Sequence, residues 1–148
     1  MEDRPEPNDV MKSRNIVVSS LDHSRLHDLV ITARQFASAD SVIVDLLERE
    51  LAHAKIVSPE EIPPYLVTMN TCVHLVDTAT EEDLKVSLVY PSDAKREKNN
   101  LSILSDLGVA IIGFSVGDTI EWKSPEGGRR LRINSIDFQP EAIKRYDL

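Results

Sequence analysis

The spacing of apolar residues changes along the chain and divides it into a helical part and a strand-rich part. Between residues 20 and 55, apolar side chains recur every three or four positions, which predicts two amphipathic helices. Only residues 37–40 separate them, and so short a connection places the helices side by side and antiparallel. The pattern therefore predicts a short helical hairpin, or antiparallel coiled coil, over residues 15–63, with arms of about 22 Å at the α-helical rise.

Polar residues and prolines mark the expected ends of these helices. Ser20 or Asp22 is the predicted N-cap of the first helix, and the second helix is predicted from about Ser41 to Lys55. Ser58-Pro59-Glu60-Glu61 predicts a single helical turn closed by a capping box. Pro63-Pro64 then ends the helical part. We expect a domain boundary there, with two separable units and a sheet domain that folds cooperatively when the chain starts near Tyr65.

Apolar and polar residues alternate through most of the chain after this boundary, which is typical of β-strands. Gly127-Gly128 lies between two such runs and predicts a β-hairpin turn. One apolar stretch, Asp106 to Phe114, is instead typical of a short buried helix that Gly113 would end. Residues 64–148 are therefore predicted as an antiparallel sheet with a short packed helix, and the fold class of the chain as α+β.

The last predicted strand changes parity. Leu131 and Ile133 occupy odd positions, whereas Ile136 and Phe138 occupy even ones, so an extra residue must intervene if all four face the core. This predicts a β-bulge near Asn134-Ser135. The aromatic residues at apolar positions of the strands are also expected in the core, namely Tyr90, Trp122 and Phe138.

Composition and charge narrow the classes of protein that fit. The chain has 148 residues, 41% of them hydrophobic and 28% charged, with one cysteine and a net charge of −8. These values are typical of a globular protein, and the acidic balance disfavours direct binding to nucleic acid. Residues 1–14 lack an apolar pattern and are expected to form a flexible tail. With no secretory signal and no transmembrane segment visible, a cytoplasmic location is expected.

Few residues in the sequence have the types and spacing of a catalytic or metal-binding site. His23 and His27 have a metal-ligand spacing on one helix, but no third ligand is marked, so we interpret them as solvated. Cys72 is interpreted as a small buried apolar residue, and Arg129 to Arg132 as a solvated strand edge. No nucleotide-binding or nucleophile motif is present. We therefore expect no metal, no cofactor and no catalytic residue.

Two carboxylates flank the predicted tip of the hairpin. Asp40 is placed to cap the second helix, and Asp45 is an acid in that helix's first turn. The alternative is that the pair ligates a hard cation such as Mg²⁺ when a partner supplies the other oxygens. Both interpretations stay open on spacing alone.

Several segments of the second half together carry a family resemblance. In order they are Thr68-Met69-Asn70, Leu88-Val89-Tyr90-Pro91, Ser102-Ile103-Leu104, Gly108 to Gly113, Val116-Gly117-Asp118, Trp122, and Phe138-Gln139-Pro140-Glu141. Their order and spacing resemble the bacterial regulator of nucleoside diphosphate kinase family, which is related to the GreA/GreB transcript-cleavage factors. The resemblance covers roughly residues 15–141.

The resemblance implies a fold, a partner and a binding surface. The fold is a short helical hairpin followed by an FKBP-like C-terminal domain, and the partner is RNA polymerase, bound near its secondary channel by a monomer. The implied polymerase-binding residues are Ser102, Ile103, Leu104, Ser105, Asp106 and Gly108. Leu104 stands where Gre factors carry an aspartate, and Asp106 where both families usually have proline, so this loop differs in detail from its relatives.

The resemblance also implies what the protein does. Gre factors place the acidic tip of a long hairpin at the polymerase active site, and the hairpin here is short. We therefore expect a non-enzymatic transcription regulator that binds polymerase without transcript cleavage and competes with Gre factors. Two alternatives are an FKBP-like peptidyl-prolyl isomerase, which the few aromatic residues disfavour, and a helical-hairpin adaptor for another protein.

Overall fold

The predicted helical hairpin is present in the computed structural model, which describes residues 16–124 and 127–148. The tail expected over residues 1–14 lies outside the described residues. Helix α1 spans Ser20–Phe36 and helix α2 spans Ser41–Ala52, and they are joined by a short turn. Strand β1, Val17–Ser19, precedes α1, and strand β2, Lys55–Val57, follows α2; the two strands pair in parallel. The hairpin is thus closed at its base by a two-stranded sheet.

Two ends of the helices differ from the sequence prediction. The N-cap of α1 is Ser19, whose Oγ accepts a hydrogen bond of 2.9 Å from the amide of Asp22, so neither Ser20 nor Asp22 is the cap. Helix α2 ends at Ala52 rather than Lys55. Lys55–Val57 pairs with β1, far away in sequence, and this pairing outweighs the local helix preference.

The strand-rich half forms one sheet of five strands in the order β5-β4-β3-β7-β6. The strands are β3 (Cys72–Asp77), β4 (Asp83–Val89), β5 (Asn100–Ser102), β6 (Thr119–Ser124) and β7 (Gly127–Phe138). Neighbours are antiparallel, except that β5 runs parallel to β4. The short helix α3, Asp106–Ile111, lies between β5 and β6 in sequence. Single 3₁₀ turns occur at Pro59–Glu61, Pro91–Asp93 and Pro140–Ile143. The predicted α+β fold class is confirmed.

Strand β7 contains the predicted bulge and a second one. Along β3, Leu75 pairs with Ile133 and His74 with Ser135, so Asn134 is the extra residue of the first bulge. Cys72 pairs with Phe138 and Val73 with Ile136, which makes Asp137 the extra residue of the second.

The second bulge reverses the parity of the strand, because each extra residue turns the following side chains to the other face. Phe138 therefore lies on the outer face and is 36% exposed, so its expected place in the core is wrong. Cys72, its partner across the ladder, is half-buried. Trp122 and Tyr90 are partly buried and pack against the core, as expected.

One hydrophobic core crosses the predicted domain boundary at Pro63-Pro64. Leu26 and Leu47 of the hairpin belong to the same buried cluster as Leu75 and Leu131 of the sheet, and all four side chains are fully buried. This shared core argues against independent folding of the two parts. Within the described ranges, no helix is both long and apolar enough to cross a membrane.

Candidate functional site

The loop from Ser102 to Gly108 is held in one shape by its own hydrogen bonds. The Ser102 Oγ accepts from the amide of Leu104 at 3.0 Å, and the Ser102 carbonyl accepts from Ser105 Oγ at 2.6 Å. Ser105 is also the N-cap of α3, since its Oγ accepts from the amide of Gly108 at 3.0 Å. Ser102 and Ser105 thus connect the end of β5 to the start of α3.

Close backbone packing explains the glycine in this loop. A Cβ atom added at Gly108 would lie 2.2 Å from the carbonyl oxygen of Ser102, far inside van der Waals contact. Only glycine allows the first turn of α3 to approach β5 this closely. We name residues 102–108 the docking loop, because the family resemblance implies that they bind polymerase.

The six predicted polymerase-binding residues differ in how far they are exposed to solvent. Asp106 is exposed, whereas Ser102, Leu104 and Ser105 are half-buried. Ile103 is fully buried and its amide donates to Val89 at 2.8 Å, and Gly108 is also buried. Ile103 and Gly108 therefore shape the docking loop from within, and the outer surface consists of the other four residues.

A groove of about 960 Å³ lies beside the docking loop. Helix α3 forms one wall with Asp106 and Ala110, and Leu46 of the hairpin extends that wall. The end of β3, the turn after it and the paired strands β6 and β7 supply the rest of the lining. The lining residues from these elements are Asp77, Thr78, Ala79, Thr80, Glu82, Glu121, Trp122, Gly128, Arg129 and Arg130. The exposed carboxylate of Asp106 thus belongs to both the docking loop and the groove.

Ion pairs organise the charged wall of the groove. The Arg129 Nε lies 2.9 Å from Oδ2 of Asp77, whose carboxylate is almost fully buried. The hydrogen bond that Arg129 donates to Asp77 lowers the pKa of this carboxyl group. Hydrogen bonds from the amides of Ala79 and Thr80 lower it further. Asp77 is therefore a charged anchor that holds Arg129 in place.

Arg129 in turn covers the only tryptophan of the chain. Its guanidinium lies 5.6 Å from the centre of the Trp122 ring, within cation–π distance. The two residues pair across the β6–β7 ladder, where Glu121 and Arg130 form the next pair and a salt bridge of 2.9 Å. The Trp122 Nε1 is buried without a hydrogen-bond acceptor among the described residues. Trp122 is thus an amphipathic ring in the lining of a charged groove.

The carboxylates near the hairpin tip have structural partners. Asp40 is the N-cap of α2, and its Oδ1 accepts from the amide of Val42 at 2.8 Å. Asp45 Oδ1 lies 2.7 Å from an Arg34 nitrogen, and Glu48 binds the same guanidinium. The hydrogen bonds that the Arg34 guanidinium donates to both carboxylates raise the pKa of Arg34. Both predicted tip residues are thus engaged within the hairpin.

The two candidate histidines, His23 and His27, do not form a metal site. His23 Nε2 lies 3.2 Å from the Leu51 carbonyl and links the two helices, whereas His27 is exposed. The two histidines are thus a helix contact and a solvated residue. Within residues 16–124 and 127–148, no group of three or more His, Cys, Asp or Glu side chains is arranged to hold a metal ion.

Sequence reasoning missed the role of Arg129 in the groove. We interpreted Arg129 to Arg132 as a solvated edge, but Arg129 is half-buried between Asp77 and Trp122. The Gly127-Gly128 signal predicted a hairpin, and the register of that hairpin places Trp122 opposite Arg129. The contact with Asp77 depends on the β3–β7 pairing, which the sequence pattern did not specify.

Two families match adjoining parts of the chain. Residues 62–138 match the family described as transcription elongation factor GreA/GreB, C-terminal part, and residues 14–57 match the family described as Rnk N-terminus. The first match contains the whole docking loop. The change from one family to the other falls between residues 57 and 62, next to the predicted boundary.

Individual proteins show the same relationship over most of the chain. "Regulator of nucleoside diphosphate kinase" of Escherichia coli (strain K12) is 35% identical over 137 residues, which are 92% of this chain and 98% of that protein. "Transcription elongation factor GreA" of Thermodesulfovibrio yellowstonii is 30% identical over 85% of this chain and 84% of that protein.

A solved structure, "Prokaryotic transcription elongation factor GreA/GreB from Nitrosomonas europaea", is similar in both sequence and fold. It shares 40% identity and superposes with a TM-score of 0.71, covering 85% of this chain and 100% of that one. The similarity thus extends over the hairpin and the sheet together. The chain belongs to the regulator of nucleoside diphosphate kinase family, a relative of the GreA/GreB transcription elongation factors.

Proposed function

We propose that this protein is a non-enzymatic transcription regulator that binds RNA polymerase near its secondary channel and does not cleave the transcript. Its family supports the general class, because its relatives are named as a regulator or as elongation factors rather than as enzymes. The observation that carries the specific proposal is the docking loop. It lies within the GreA/GreB match, is fixed by the Ser102–Ser105 hydrogen bond and presents the exposed Asp106.

The contact surface would combine the docking loop with the wall of the groove beside it. Asp106 is the point where they meet, and Leu46, an exposed apolar residue, continues the same wall. A rigid loop with a charged rim and an apolar wall has the composition of a protein-binding surface. We expect a complementary basic and apolar segment of polymerase to bind here.

Binding can be measured through the single tryptophan. Trp122 lines the groove, so its fluorescence should change when core RNA polymerase covers it. Polymerase contains tryptophan as well, so Trp122 should be replaced biosynthetically by 5-hydroxytryptophan and excited selectively. Titration with core polymerase should give a saturable signal. The absence of a signal together with no co-purification would contradict the proposal.

Variants of the docking loop locate the contact. Asp106→Arg should weaken binding at least tenfold, because it reverses the charge of an exposed residue on the contact surface. Asp28→Arg makes the same change at an exposed position of α1, outside the groove lining, and should bind normally. Equal binding by both variants would place the contact elsewhere, with the Arg129 to Arg132 edge as the next surface to test.

Ser102 provides a second test with its own control. Ser102→Arg adds bulk to the outer surface and should abolish co-purification while the protein still folds. Ser102→Ala removes the hydroxyl that accepts from the Leu104 amide without adding bulk, and it reports the cost of that bond alone. Normal binding by folded Ser102→Arg would exclude Ser102 from the contact.

A further inference from the structure

A carboxyl group is buried where the hairpin meets the sheet. Asp22 lies in the first turn of α1 and is only 3% exposed. Its Oδ2 accepts a hydrogen bond of 3.2 Å from the amide of Met69, a buried residue of the segment that leads into β3. This bond joins residues 47 positions apart and connects the helical part directly to the sheet part.

Three charged or titratable side chains face Asp22 from the elements around it. Arg25 lies on the same helix, Tyr90 follows β4, and Glu141 belongs to the 3₁₀ turn at Pro140–Ile143. Glu141 is itself fixed, since its Oε1 accepts from the Thr68 hydroxyl at 2.8 Å. Two carboxyl groups thus share one largely buried region where three parts of the chain meet.

Burial makes the charged form of Asp22 costly. Desolvation is the main cause that raises the pKa of Asp22 to about 7, and the charge of Glu141 adds to it. The Met69 amide and Arg25 act in the opposite direction but less strongly. Burial and the Asp22 charge also raise the pKa of the Tyr90 hydroxyl. This region therefore opposes a second negative charge.

We infer that Asp22 and Glu141 form a pH-sensitive joint that fixes the hairpin to the sheet when Asp22 is protonated and loosens when Asp22 ionises. The ionised carboxylate gains free energy by reaching water, and movement of the start of α1 away from Met69 and Glu141 would give it that access. The joint therefore controls how rigidly the hairpin is held relative to the docking loop. Its chemistry is independent of polymerase, so it can be tested without it.

The direction of the stability change follows from the shifted group. An acid whose pKa is higher in the folded state binds its proton more tightly there, so folding stability decreases as pH rises. The decrease begins near the unfolded value of 3.8 and ends near the folded value of about 7. Between pH 5 and 8 the folding equilibrium constant should fall by about one to two orders of magnitude through this group alone.

Asp22→Asn isolates the joint. The asparagine keeps a carbonyl oxygen that can accept from the Met69 amide but carries no charge at any pH. Urea unfolding gives the folding constants of the variant and of the unchanged protein at each pH. The variant's constant divided by that of the unchanged protein should rise by about one to two orders of magnitude from pH 5 to pH 8. Asp28→Asn, an exposed aspartate on the same helix, is the matched control and should show no such rise. A constant ratio for Asp22→Asn would overturn the inference.

Carboxyl ¹³C NMR keeps the test valid even if Asp22→Asn folds poorly. In the unchanged protein, the Asp22 signal should titrate near pH 7, and Glu141→Gln should move its midpoint down while keeping an acceptor for Thr68. Hydrogen exchange of residues 16–30, corrected for intrinsic rates, should quicken above that midpoint. A midpoint near 3.8, or exchange unaffected by ionisation, would show that Asp22 does not act as a joint.

Discussion

Arg34 and Asp45 face each other across the hairpin, with 2.7 Å between a guanidinium nitrogen and the carboxylate oxygen Oδ1. Glu48, one turn further along α2, binds the same guanidinium. One arginine of α1 thus neutralises part of the charge of two acids of α2. The acidic residues near the tip therefore stabilise the pairing of the two helices.

Replacing Arg34 with alanine should destabilise the hairpin only slightly. The pair is exposed, with 41% and 59% of the two side chains accessible, so water and salt weaken its attraction. In urea unfolding, the loss should be seen at low salt and should shrink at high salt. Arg49→Ala, at an exposed position of α2, is the control. A loss as large as that of a core truncation would contradict this account.

Gly108→Ala should be among the most damaging single-methyl additions in the protein. The new Cβ would lie 2.2 Å from the Ser102 carbonyl oxygen, so β5 and α3 must separate. We expect a loss of about 1–3 kcal/mol, typical of overpacking, and weaker polymerase binding because the docking loop is distorted. Gly128→Ala meets nothing within 4 Å and should leave stability nearly unchanged. Thermal unfolding of the two variants makes the comparison.

The shared core predicts that residues 65–148 do not fold stably when expressed alone. Without the hairpin they lose the contacts of Ile16, Leu26 and Leu47, all buried in the common cluster. Ile16 is so close to Gly113 that a Cβ at that glycine would lie 2.4 Å from it. We expect a broad, non-cooperative thermal transition for the fragment. A sharp transition would show that the sheet closes its own core, as the sequence pattern first suggested.

Local signals in the sequence predicted most of the helical part correctly. Asp40 caps α2, and the Ser58–Glu61 capping box is present, because both depend on residues a few positions apart. The exceptions involve distant partners. The end of α2 depends on pairing with β1, and the N-cap Ser19 is also the last residue of that strand.

In the sheet, features that depend on distant residues were also not predictable from the local sequence pattern. The parity change predicted the bulge at Asn134, but the second bulge at Asp137 leaves no trace in the hydrophobic pattern, and so Phe138 was misplaced. The buried position of Asp22 was also missed, because an acid in the first turn of a helix is ordinarily exposed. Its burial depends on Met69 and Glu141, which only the folded chain brings near.

His74 should make stability decrease as pH rises above 6.5. Its Nε2 lies 2.9 Å from Asp137 and its Nδ1 3.3 Å from Asp83, and these hydrogen bonds raise the pKa of His74. A base with a raised folded pKa stabilises below its unfolded value of 6.5 and loses that contribution as pH rises through the folded value. His74→Gln should remove this loss in urea unfolding above pH 6.5. The comparison should be made in the Asp22→Asn background, so that the titration of Asp22 does not contribute. His53→Gln, at the exposed end of α2, is the control.

The reach of the hairpin bears on transcript cleavage. At the α-helical rise, α1 is about 25 Å long and α2 about 18 Å. The resemblance to Gre factors implies that cleavage uses a markedly longer hairpin with free carboxylates at its tip. Here Asp40 caps a helix and Asp45 pairs with Arg34, so ligation of Mg²⁺ at about 2.1 Å would compete with these contacts.

We therefore expect this protein to occupy the Gre-factor site without supporting cleavage. Added to a stalled elongation complex with a backtracked transcript, it should release no 3′ fragment. In excess it should slow cleavage by GreA, because two proteins that share a site compete by mass action. The docking variant Asp106→Arg should not slow GreA, whereas Asp28→Arg should slow it normally.

If this protein does cleave the transcript, and an Asp40→Asn, Asp45→Asn double variant loses that activity, the tip carboxylates are catalytic. Inhibition of GreA by Asp106→Arg would instead mean that the competition does not pass through the docking loop.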